Sequence, residues 1–308
     1  MKAKPAAIVT AAKIDLTRSR WLTIFLAGSG VLALIYEVVW QRQFALVFGS
    51  AAPATAMVLS AYFAGLGLGA WWVGARAENW PRPLRVYAWL ELFIGVGAVL
   101  VAPLLSGFDS VYPVVAAALY KHGEFLFIFR AVGAWLALLP PTFCMGGTLP
   151  LLGPVIDQGR RHLGQHAGWL YFVNTAGAAI GALAVPFFLL PRFGLSHTVW
   201  GCSAINAALA AGAWFLDTRK ATSPSIAAPA VSVRVSSGHG KEIPAPGSGI
   251  KIASLAFVSG FATFALQVLW NRAFAQLHEN SMYSFAVIVA VTIAALAAGA
   301  QLARIGLK

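Results

Sequence analysis

Apolar runs of 20 residues or more recur along this chain, and each is long enough, at about 1.5 Å per residue, to cross a hydrocarbon core of roughly 30 Å. A helix closes its own backbone hydrogen bonds inside such a run, so the chain reads as an all-α, polytopic helical membrane protein. Spans are expected at about residues 21–46, 54–76, 85–105, 125–155, 164–190, 196–216, 252–276 and 282–303, about eight transmembrane helices in all. Composition agrees: 59% of the 308 residues are hydrophobic and 10% charged, where a soluble domain is about a quarter charged. So few charges cannot clothe a soluble surface of this length.

The net charge of +12 would suggest nucleic acid in a soluble chain, but its distribution decides otherwise. With both termini cytoplasmic, 17 of the 22 Lys and Arg residues fall on the cytoplasmic side, as the positive-inside rule requires. The basic excess therefore orients a multi-pass protein of the cell inner membrane whose partner is the lipid bilayer, and no nucleic-acid partner is implied. A cleaved signal peptide is a poorer reading of the N-terminus, because the apolar run from Trp21 past Val39 exceeds the about 7–15 residues of a signal core. Cys144 and Cys202 lie inside apolar spans without metal-ligand spacing and read as small buried residues.

Residues 1–20 form a basic cytoplasmic tail and residues 21–216 a first transmembrane repeat of about six helices. Residues 217–250, rich in Pro, Ser, Ala and Gly, form a flexible cytoplasmic linker, and residues 251–308 begin a second repeat with about two helices. The repeat is visible directly: residues 21–78 align without a gap to residues 251–308, with 12 identities. Ser29-Gly30 matches Ser259-Gly260, Trp40 matches Trp270, and Arg42 matches Arg272, while Glu37 becomes Gln267 and Gln41 becomes Asn271. Six spans separate the copies, so they share one orientation and form a parallel repeat. A complete second half would need about four more spans, so the chain is expected to be a fragment, a split gene product, or one that a second membrane subunit completes.

Four stretches carry a resemblance to the membrane region of the fused spermidine synthase-like membrane proteins, in which a major-facilitator-type module is joined to a polyamine synthase. They are residues 29–49 (SGVLALIYEVVWQRQFALVFG), 87–97 (YAWLELFIGVG), 140–152 (PPTFCMGGTLPLL) and 170–194 (LYFVNTAGAAIGALAVPFFLLPRFG). The resemblance implies a membrane module that anchors a cytoplasmic synthase or binds and moves a small substrate. The alternatives are a stand-alone transporter-like protein and a truncated scaffold. The catalytic half of such fusions has no counterpart here: Gly247-Ser248-Gly249 lies in the linker with no acidic residue about 20 positions on, and none of the ten carboxylates forms a close soluble pair. Aminopropyl transfer by this chain alone is not expected, and no catalytic residue, cofactor or metal is assigned.

Ionisable side chains at membrane depth are costly, which singles out Glu37, Glu91, Arg130, Arg42 and Arg272. Counting from Trp21 puts Glu37 about 24 Å up and Arg42 near the outer surface, while Arg130 enters its helix about 9 Å below the outer face. Glu37, Arg130 and Gln267 are therefore expected to meet in the outer half. Glu91, about 9 Å above Arg85, reads as a shallow partner for a cytoplasmic Arg or a helix N-terminus. Arg42 and Arg272 are expected to snorkel, beside an interfacial belt of Trp40 and Trp270. Pro140, Pro141 and Pro150 are expected to break their helix, exposing backbone around Thr148 as a binding element or a packing kink. Asn174 is a mid-depth polar candidate for an interhelical hydrogen bond, and Gly65 with Gly69 and Gly177 with Gly181 form faces for close helix approach.

Overall fold

The protein is described here from a computed structural model covering residues 16–48, 52–118, 121, 123–156, 163–221, 248–277 and 282–306. Among the described residues every long element is helical: α1 Leu16–Phe48, α2 Ala52–Gly74, α3 Pro83–Ala118, α4 Gly123–Ile156, α5 Leu163–Ala184, α6 Leu190–Ala221, α7 Ser248–Leu277 and α8 Met282–Gly306. A 3₁₀ turn, Ala77–Asn79, separates α2 from α3, and a π turn, Val185–Leu189, leads from α5 to α6.

Seven described stretches are long and apolar enough to cross a membrane. One of them, Gly168–Thr218, runs for 51 residues, far more than the about 20 needed for one crossing. It is divided at Gly194, whose φ of 69° and ψ of −177° interrupt the helix where only glycine avoids a Cβ clash. That break falls where the sequence places the gap between the fifth and sixth spans.

Two boundaries differ from the sequence reading. Residues 217–221 continue α6 and residues 248–250 start α7, so the expected linker loses both ends to helix; residues 222–247 lie outside the described residues. Asp217 explains the longer α6, since its carboxylate accepts from Arg85 Nε at 2.8 Å and ties the end of α6 to the start of α3. The expected break in α4 does not occur either. The helix runs unbroken through Pro140, Pro141, Pro150 and Pro154. Threonine hydroxyls supply bonds inside it: Thr142 Oγ1 donates to Leu138 O at 2.7 Å, and Thr148 Oγ1 to Met145 O at 2.8 Å.

Helix α1 is the axis of the bundle. All seven side chains of residues 34–40 are buried, which requires neighbours on every side of the helix. Its tightest seam is with α5, where a Cβ added at Gly177 or Gly181 would run into the carbonyl oxygens of Ala27 and Val31. The second close seam joins α2 to α4: Gly65 lies against Thr142, Gly69 against Phe143 O, and Gly146 against Leu66 O. The glycine pairs read from sequence as close-approach faces thus lie at backbone-to-backbone contacts. Helix α7 is the opposite of α1, since Gln267 is the one buried side chain among those described on it.

Candidate functional site

Two carboxylates are enclosed in the bundle, and their surroundings differ. Glu91 on α3 is fully buried. Its Oε2 accepts from Asn206 Nδ2 on α6 at 2.5 Å, and Asn206 Oδ1 accepts from Tyr36 OH on α1 at 2.7 Å. Tyr87 OH donates to Phe25 O at 3.2 Å, and Glu91 Oε1 has no hydrogen-bond partner among the described residues. Three helices are therefore joined through one buried polar network, in which Asn206 serves both Glu91 Oε2 and Tyr36 OH.

This corrects the reading of Glu91 as a shallow partner for a cytoplasmic arginine. Arg85 has gone to Asp217, with its guanidinium 4.8 Å above the Trp214 ring, and Glu91 is bonded through one oxygen by an amide instead. Sequence reasoning missed Tyr36 and Asn206. The available signal was the polarity of Asn206 within an apolar run, by the same rule that singled out Glu91.

Glu37, 1% exposed, lies on another face of α1. Trp40 is one turn further along the same helix and Tyr62 approaches from α2, its hydroxyl donating to Ala33 O at 3.1 Å, one turn back. The Trp40 ring stacks on Tyr36 at 5.5 Å and meets Tyr62 edge-on at 6.4 Å. Glu37 Oε1 and Trp40 Nε1 are both buried without a hydrogen-bond partner among the described residues.

The other candidates separate. The Arg130 guanidinium lies 4.5 Å over the Tyr112 ring of α3, so the expected Glu37–Arg130 pair is not formed. Gln267 is buried on α7, and its neighbours Phe264 and Val268 pack on the cluster that contains Tyr36, Trp40 and Tyr62. Thr148 spends its hydroxyl on its own helix, which is unbroken there. Asn174 meets Gly30 across the α1–α5 seam, with backbone and side-chain oxygens both against the glycine. Arg42 and Arg272 are exposed. Trp40 does not belong to an interfacial belt, being fully buried, whereas Trp270 is 51% exposed. Among the described residues no three His, Cys, Asp or Glu side chains converge to hold a metal.

No family model matches the chain, and no solved structure does. Curated relatives do. A polyamine aminopropyltransferase of Mycobacterium tuberculosis is 32% identical over 202 residues, covering 62% of this chain and 35% of that protein, and one of Mycobacterium bovis gives the same figures. A polyamine aminopropyltransferase of Corynebacterium efficiens is 28% identical over 192 residues, 61% of this chain and 34% of that protein. The chain thus spans about a third of the length of the curated relatives it matches, and within that third its helical sequence is similar to that of polyamine aminopropyltransferases.

Proposed function

We propose that this chain is the membrane-embedded module of a spermidine synthase-like system, seated in the inner membrane with both termini on the cytoplasmic side, and that it anchors a cytoplasmic synthase there. The observation that carries this reading is the 32% identity over 202 residues to part of a polyamine aminopropyltransferase, combined with helices long and apolar enough to span a bilayer. The orientation follows from the basic residues, most of which then face the cytoplasm. A reporter fused after Ser237 or Lys308 is expected to read as cytoplasmic, and a periplasmic signal at either site would refute the topology. The second reading, binding or moving a small substrate, is favoured by one observation, the enclosed and unmatched carboxylate of Glu37.

Anchoring is tested by flotation. Vesicles containing the chain are expected to carry the polyamine aminopropyltransferase of the same cell to the top of a density gradient, while empty vesicles leave it at the bottom. The chain in detergent is expected to produce no spermidine from putrescine and decarboxylated adenosylmethionine. Equal flotation with and without the chain, or turnover by the chain alone, would overturn the anchoring role.

A further inference from the structure

Glu37 is a buried carboxyl that the packing leaves unserved. A carboxylate enclosed in apolar surroundings is costly unless something donates to it. Glu91 has one oxygen bonded by Asn206 and leaves Oε1 unmatched, whereas Glu37 Oε1 is unmatched and no donor or basic side chain is bonded to the Glu37 carboxyl among the described residues. What surrounds it is aromatic. Trp40 and Tyr62 bracket it along α1.

Helix α7 approaches this region through α2. Phe264 meets Phe63, the neighbour of Tyr62, edge-on at 5.6 Å, and Phe264 and Val268 join the cluster that holds Tyr36, Trp40 and Tyr62. Gln267 lies between them in sequence and is 4% exposed on a helix whose other described side chains are not buried. Gln267 is also the residue that takes the Glu37 position in the second copy of the repeat. A buried carboxylate, aromatic rings and an amide carbonyl make an acceptor set for an organic ammonium, whose N–H groups donate to the oxygens while its charge rests on the rings. Inorganic divalent cations prefer cages of several oxygens, and the surroundings described here supply rings in their place.

We propose that Glu37, Trp40, Tyr62 and Gln267 form an occluded binding site for a protonated primary amine between α1, α2 and α7. The ammonium donates to Glu37 Oε1 and to the Gln267 carbonyl oxygen. Because α7 buries so little of itself, it is the wall that parts to admit the ligand. The choice of a small polyamine as that ligand rests on the polyamine-system reading above; the carboxylate and rings by themselves specify the ammonium.

Equilibrium binding of radiolabelled putrescine to the full chain in lipid nanodiscs at low ionic strength tests this. Saturable binding is expected, weakened at least tenfold by Glu37→Gln and several-fold by Gln267→Leu, and left unchanged by Glu91→Gln. Each variant is checked for helix content and a monodisperse elution profile. If Glu37→Gln does not fold, Gln267→Leu on the exposed helix decides. No saturable binding, wild-type affinity in Glu37→Gln or in Gln267→Leu, or equal loss in the two glutamate variants would overturn the site. Displacement by sodium or potassium at concentrations equal to that of putrescine would overturn its assignment to amines. Flotation of the synthase is a separate readout: flotation without putrescine binding sinks this site alone, and binding without flotation sinks the anchoring role alone.

Discussion

Asn206→Leu is expected to be among the most damaging single substitutions in the bundle. It removes the amide that donates to Glu91 Oε2 and accepts from Tyr36 OH, so one change strands two buried polar groups. Leaving such a group unmatched costs about 1–3 kcal/mol, more when it is charged, and the loss here is expected at or above about 3 kcal/mol. Unfolding in mixed micelles, followed by circular dichroism, measures it. The double variant Asn206→Leu with Glu91→Leu should recover part of the loss, since the stranded carboxyl is then gone. Additive losses would mean that Asn206 and Glu91 stabilise the bundle independently. Arg85→Gln provides the contrast, because its pair with Asp217 is partly solvated and such pairs contribute about 1 kcal/mol or less.

The α2–α4 seam should be nearly as sensitive. A methyl group at Gly69 would meet the Phe143 carbonyl, and one at Gly146 the Leu66 carbonyl. Backbone cannot move aside by changing rotamer, so the two helices themselves must separate. Gly69→Ala and Gly146→Ala are each expected to cost about 1–3 kcal/mol, the usual range for overpacking. Gly67→Ala, with nothing within 4 Å of the added carbon, is expected within about 0.5 kcal/mol of the parent. Unfolding of all three in the same micelles compares them, and equal effects at Gly67 and Gly69 would show that helix propensity rather than close approach sets the cost.

The features legible in sequence were those fixed by one-dimensional spacing. Glycines four apart share a helix face wherever the helix lies, so Gly65 with Gly69 and Gly177 with Gly181 could be identified before their partners were known. The break near Gly194 was visible because an apolar run cannot exceed the bilayer by so much without turning. Height could be counted too, but height gives neither rotation nor neighbour. Arg130 was matched to Glu37 by depth, yet α4 packs against α2 and α3, and its arginine found Tyr112 on α3. The depth count for Trp40 placed it at the surface, but its face of α1 points into the core. Glu91 and Asn206 lie 115 positions apart, and no local pattern announces such a pairing. The proline run in α4 misled for a different reason: a missing N–H need not end a helix that is held in place by close packing against α2.

The enclosure of α1 has a consequence in time. The ribosome releases this helix before any of those that surround it, and α5 and α6, which cover it on two sides, begin only at Leu163 and Leu190. Throughout that interval Tyr36 lacks Asn206 and the α5 seam is open, and a carboxyl at mid-helix costs about 3 kcal/mol on insertion scales. The newborn segment is apolar enough over Arg20–Val47 to enter the bilayer even so. Its remaining partners then arrive and close over it, so α1 is fully enclosed only after helices far downstream of it have been made.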